Sequence, residues 1–190
     1  MVRLMARSQP FITTIDLEKT YESCFFDDDT VEDIIESKKY KHSPNLFKNS
    51  IHVKFLEQFK DAEHISDEEL CKSLYYKDAI LSLKIYGHFR GNVTEQEVLE
   101  QTRYFLELYK AVNKGTYNKN YKEFINIGNN HSKEEYATAV KILNSNYFMV
   151  CDGHHRLACY YVSGKKFVKV KIMGIKKNNL QAWDHVNQSY

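Results

Sequence analysis

Five consecutive positions, Asp152-Gly153-His154-His155-Arg156, set an acid, two imidazoles and a guanidinium around one glycine. A guanidinium can give a phosphate group two parallel N–H bonds, and an imidazole can add another. Apolar, strand-like residues, Tyr147-Phe148-Met149-Val150, precede the cluster. Leu157, Ala158, Tyr161 and Val162 after it fit one helical face, and Gly164 stands where a helix should end. The cluster is therefore expected at a strand-to-helix junction. There the unsatisfied N–H groups of a helix start attract anions, and Gly153 lets the backbone come close. On this reading Gly153, His155 and Arg156 bind nucleotide phosphates. Asp152 is the candidate general base or Mg2+ ligand, since a carboxylate suits a hard cation. His154 is a second candidate catalytic group, placed to polarise a phosphate or touch substrate. The plainer alternative makes Asp152 an N-cap and both histidines polar groups on the first helical turn.

Two other segments could add contacts to phosphate or substrate. Tyr86 to Asn92 carries His88 and Arg90 between two glycines, and Gly128 to His131 carries Asn130 and His131. Either could equally be a turn with surface polar groups. Zinc is poorly served by His154 and His155, because adjacent helical residues point about 100° apart. A zinc site would need His88, His131 or an acid from elsewhere. Asp27-Asp28-Asp29 reads as a solvated helix entry.

The elements that must position these groups can be read from spacing. Phe11 to Ile15 suits a short strand, and Thr30 can cap a helix bearing Val31, Ile34 and Ile35. Ser50 is a candidate cap for a helix bearing Ile51, Phe55, Leu56 and Phe59. Ser66 to Glu69 is a capping-box pattern, and its helix is expected to run on through Tyr75 to about Leu83. A second box at Thr94 to Glu97 opens a long helix with Val98, Phe105, Leu108 and Val112 on one face, closed by Gly115. Strands are expected at Phe124 to Ile127, Tyr136 to Leu143 and Tyr147 to Cys151, with a hairpin loop at Asn144-Ser145-Asn146. Val168, Val170 and Ile172 alternate with Lys169 and Lys171, as in a half-buried strand. The fold class is α+β: a small mixed sheet with packed helices. Residues 1–91 form a mainly helical N-terminal extension packed on a core domain of residues 92–190.

Asp-Gly-His-His-Arg-Leu-Ala after a strand, then a short helix, Gly164 and a Val-rich strand, resembles the ParB/sulfiredoxin superfamily. Its signature is Gly-x-x-Arg-x-x-Ala. Gly153 and Arg156 match it, and Ala158 lies one position early. The Asp-Gly-His-His form is closest to the free serine kinase-like branch, and the resemblance spans roughly residues 98 to 175. It implies a ParB/sulfiredoxin-like nucleotide-binding domain at residues 92–190 that uses ATP, or CTP, with Mg2+. The expected activity is ATP-dependent phosphotransfer to a small hydroxyl compound such as a sugar or amino-acid derivative. The alternatives are a CTP- or ATP-binding regulatory module without a chemical step, and a phosphodiester hydrolase. Sulfinic acid reduction is disfavoured. His154 stands where that branch has its reactive cysteine, and Cys151 and Cys159 read as buried thiols.

Composition narrows the class. The chain has 190 residues, 43% of them hydrophobic, enough for one sizeable core. A formal net charge of +2 lacks the basic excess of a duplex-DNA binder. No apolar run is long enough to span a membrane. Met1 to Arg7 is too short and polar for a signal peptide, so a cytoplasmic protein with reduced thiols at Cys24, Cys71, Cys151 and Cys159 is expected. The expected partners are a nucleotide and a small acceptor, with no membrane and no duplex DNA.

Overall fold

Alternating side chains set the sheet. Its strands are β1 (Phe11–Asp16), β2 (Thr20–Tyr21), β3 (Ala137–Ile142), β4 (Phe148–Asp152) and β5 (Phe167–Lys176). This computed structural model describes residues 10–22, 46–117, 136–142 and 145–176. The strand order is β1-β5-β3-β4-β2. β1 runs antiparallel to β5, β5 parallel to β3, β3 antiparallel to β4, and β4 parallel to β2. Val168, Val170 and Ile172 are buried and share a face with Ile15, Ala137, Ala139 and Val150. On the other face Val140, Ile142 and Met149 form a second small core with Tyr21 and Tyr147. The mixed sheet together with α-helices makes the class α+β, as expected.

The chain divides into two units. Among the described residues the sheet unit takes 10–22, 46–50, 136–142, 145–154 and 166–176, and the helical unit takes 51–117 and 155–165. The expected boundary at 91/92 falls inside the helical unit. Two strands from before residue 22 belong to the sheet, so the early chain adds more than helix.

The helices are α1 (Ile51–Phe59), α2 (Asp67–Lys72), α3 (Leu74–Tyr86), α4 (Glu95–Asn113) and α5 (His154–Val162). Both capping boxes are present: Ser66 with Glu69, and Thr94 with Glu97. Val53, Phe55, Leu56, Tyr75, Val98 and Phe105 are buried. Phe55 stacks on Phe105 at 5.3 Å between ring centroids and lies 5.1 Å from Tyr75. The single helix expected from Ser66 to about Leu83 is two. Ser73 is extended (φ −64°, ψ 150°). Its hydroxyl accepts from the Tyr76 N–H at 3.2 Å and donates to the Leu70 carbonyl at 2.7 Å. The serine side chain competes with the helical backbone and wins, ending α2 and capping α3.

Ser145 ties the end of β3 to the approach to β4. Its Oγ donates to the Ile142 carbonyl at 3.0 Å and accepts from the Tyr147 N–H at 3.1 Å. Several expectations lie outside the described residues: the helix from Thr30, the strand at Phe124 to Ile127, Asn130, His131, Asp27 to Asp29, and Cys24.

Candidate functional site

The expected strand-turn-helix is present. β4 ends at Asp152, Gly153 takes φ 89°, and α5 begins at His154. That φ favours glycine, which has no Cβ to clash. Within the sheet unit, Asp152 pairs in register with Thr138, and Thr138 pairs with Lys171 on its other side. Directly paired residues share a face, so Asp152, Thr138 and Lys171 form one row across β4, β3 and β5. The register shifts between Thr138 and Ala139, leaving Cys151 out of the pairing just before Asp152. Bulges of this kind re-aim a neighbouring side chain. Cys151 is exposed, contrary to the buried-thiol expectation. Cys159 is buried as expected, and burial pushes its thiol pKa well up. His154 also belongs to this unit. Its Nε2 faces the Glu22 carbonyl at 2.5 Å, and its ring lies 6.3 Å from Phe47. A carbonyl only accepts, so Nε2 carries a proton.

The helical unit gathers a polar cluster around His155. Nε2 of His155 lies 2.6 Å from the Tyr75 hydroxyl, and Nδ1 lies 3.5 Å from Arg90 Nη1. Arg90 Nη2 lies 3.3 Å from His52 Nε2. The two Arg90 contacts are long for hydrogen bonds and correspondingly weak. The His52 and His155 rings meet edge-on at 5.0 Å, and Phe105 meets His155 at 4.4 Å. α1, α3, α4 and α5 each supply one wall, and the loop after α3 supplies Arg90.

That loop is tight. Phe89 and Asn92 exchange backbone hydrogen bonds at 2.9 Å each way. The two central residues, Arg90 (φ 51°) and Gly91 (φ 89°), both have positive φ. Such two-residue turns favour Asn, Asp or Gly, and Arg is costly there. The turn is anchored by a hydrogen bond from the buried Asn92 amide to the buried Gln101. The backbone thus holds Arg90 in an uncommon conformation beside two imidazoles. His88, the other expected contact in this loop, is exposed, and its carbonyl accepts from Ser82 Oγ at 3.4 Å.

Donor chemistry selects the tautomers that suit these contacts. Arg only donates, so His155 Nδ1 and His52 Nε2 accept. His155 then carries its proton on Nε2 and donates it to the Tyr75 oxygen. Burial pushes the Tyr75 phenol well above its ordinary pKa; Arg90 pulls it partly back, and Asp78 adds to the rise. Tyr75 therefore stays protonated at neutral pH. Arg156, half-buried on the first turn of α5, lies close enough to Tyr160 to lower its pKa against the larger effect of burial.

Comparison of the chain with protein-family models, curated proteins and solved structures returned no match.

Among the described residues that the sequence pointed to, Arg90 and His155 come together, whereas Asp152 and His154 belong to the sheet unit. Sequence reasoning missed His52 and Tyr75. A signal existed for His52: with Phe55, Leu56 and Phe59 it occupies the apolar i, i+3, i+4, i+7 face of its helix. A polar group in that position is unusual. Tyr75 gave no such sign among the many tyrosines.

Among the described residues no three His, Cys, Asp or Glu side chains converge as a metal site. Mg2+ bound with nucleotide phosphates needs only one or two protein carboxylates. When bound, such an ion would neutralise charge on the phosphates.

Proposed function

We propose that this protein binds the phosphates of a nucleoside triphosphate with Arg90, His155 and Arg156, and transfers a phosphoryl group from ATP to a small hydroxyl compound. One observation carries the binding step. The Arg90 guanidinium is half-buried between two imidazoles, and among the described residues none of the ion pairs involves it. A cationic group so placed is well suited to an anion. The resemblance of Gly153 to Arg156 to the ParB/sulfiredoxin turn gives the ligand class, and on the sequence alone Asp152, three residues before His155, is the group proposed to accept the acceptor's proton or hold Mg2+.

A second reading, a nucleotide-binding regulatory module without chemistry, is favoured by a different observation. Both ring nitrogens of His155 face protein groups, Tyr75 and Arg90. A ring tied in this way suits binding and orientation more than proton transfer. Incubating the purified protein with ATP, Mg2+ and a panel of sugars and hydroxy amino acids separates the two. The kinase reading predicts ADP release that depends on one acceptor class. ATP binding with no turnover across the panel supports the module. Slow ADP release that is indifferent to acceptor counts against phosphotransfer.

A further inference from the structure

We propose that the His52, Arg90 and His155 cluster is an oxyanion site that takes up one proton as it fills. The inference rests on the phosphate-binding reading only for the class of ligand. As the cluster stands, the imidazole nitrogens nearest Arg90 are acceptors, His155 Nδ1 at 3.5 Å and His52 Nε2 at 3.3 Å. A tetrahedral oxyanion on Arg90 offers only acceptors. Imidazole lone pairs turned toward it would repel, and protonating one ring turns that repulsion into a charge-assisted hydrogen bond. A dianion bound to Arg90 alone would leave net negative charge among half-buried groups, which is costly. One imidazolium brings the sum to zero.

The surroundings tolerate that change. Tyr75 from α3 accepts from His155 Nε2 in either charge state, since its oxygen keeps lone pairs. Phe105 from α4 meets His155 at 4.4 Å and lies 6.0 Å from His52, close enough for a favourable aromatic contact with an imidazolium. The titratable and charged groups around the pair are Tyr75 and Asp78 on α3 and Arg90 in the loop, and Arg156 follows His155 in the chain. Asp78, already acting on Tyr75, favours the added positive charge, and Arg90 opposes it until the anion arrives.

Sulfate is the probe, because it is a tetrahedral dianion that does not itself titrate near neutrality. Sulfate affinity of the full chain is measured against pH above the ordinary imidazole range. Uptake of one proton predicts that affinity falls about tenfold per pH unit as pH rises. Long-range proton–nitrogen spectra of labelled imidazoles should show one ring going from neutral to doubly protonated at saturation. The double variant His52→Gln, His155→Gln, checked for folding by circular dichroism, should bind sulfate with little pH dependence. Affinity that is flat with pH in the wild type overturns the inference, and so does a ring already doubly protonated before sulfate is added. Failure to bind sulfate overturns it as well. ATP is run as a separate arm. Proton-linked sulfate binding without ATP binding would leave this inference standing and remove the nucleotide reading, whereas ATP binding with flat sulfate affinity would do the reverse.

Discussion

Asp152→Asn keeps the size of the side chain and its capacity to cap, and removes its charge. If Asp152 carries the phosphoryl-transfer step, kcat should fall by about 10²-fold or more, in line with loss of a general base, while thermal stability stays near wild type. Turnover and melting measured on one preparation check this, and unchanged turnover would remove Asp152 from the mechanism. Residue chemistry was the most legible part of the sequence. The 152–156 run announced an acid and a glycine turn at a strand-to-helix junction. It did not announce that His154 faces the Glu22 carbonyl while His155 faces Tyr75 and Arg90. Adjacent helical positions diverge in direction, and their partners come from far along the chain. His52 and Tyr75 stayed hidden for the same reason: the cluster forms only when four helices and a loop meet.

At the scale of elements, caps and periodicity were legible because they are local. Both capping boxes, the face of α4, the antiparallel pairing of β3 with β4 and the end of α5 lie where spacing placed them. The break at Ser73 was not legible, since Leu70, Leu74 and Tyr75 keep an apolar pattern running through it. Ser73→Ala removes the hydroxyl bonds to Tyr76 and Leu70 and should cost about 1–2 kcal/mol of stability, read by chemical denaturation. No loss would mean that packing alone sets the corner. The cap of α4 has a pH signature. Backbone N–H of Val93, then the Thr94 side chain and N–H, hold the Glu97 pKa below its ordinary value. A carboxyl with a lowered folded pKa contributes stability that is present above its unfolded pKa. That contribution is lost as pH falls through the folded value. Glu97→Gln should therefore melt below wild type at neutral pH, and the gap should close on acidification. A gap independent of pH would contradict this electrostatic account.

For the molecule as a whole, the spacing of apolar residues, caps and turns correctly suggested an α+β chain. No helix among the described residues is long and apolar enough to cross a membrane. The interleaving of the two units was not legible, because strand pairing across long sequence separations leaves no local mark. It has a consequence for truncation. Residues 92–190 alone lack β1 and β2 of the sheet unit and α1, α2 and α3 of the helical unit. That fragment should be insoluble or largely unfolded, and a well-dispersed NMR spectrum from it would show that either unit can do without them. The central claim, that Arg90 and Arg156 hold the phosphates of one ligand, is tested most directly by calorimetry of the full chain with ATP and Mg2+. The wild type should bind. Arg90→Ala and Arg156→Ala should each lose about 1.5–3 kcal/mol of affinity, the scale of a charge-assisted hydrogen bond, with their folds intact. Wild-type affinity in both variants, or no ATP binding by the wild type, would contradict the account.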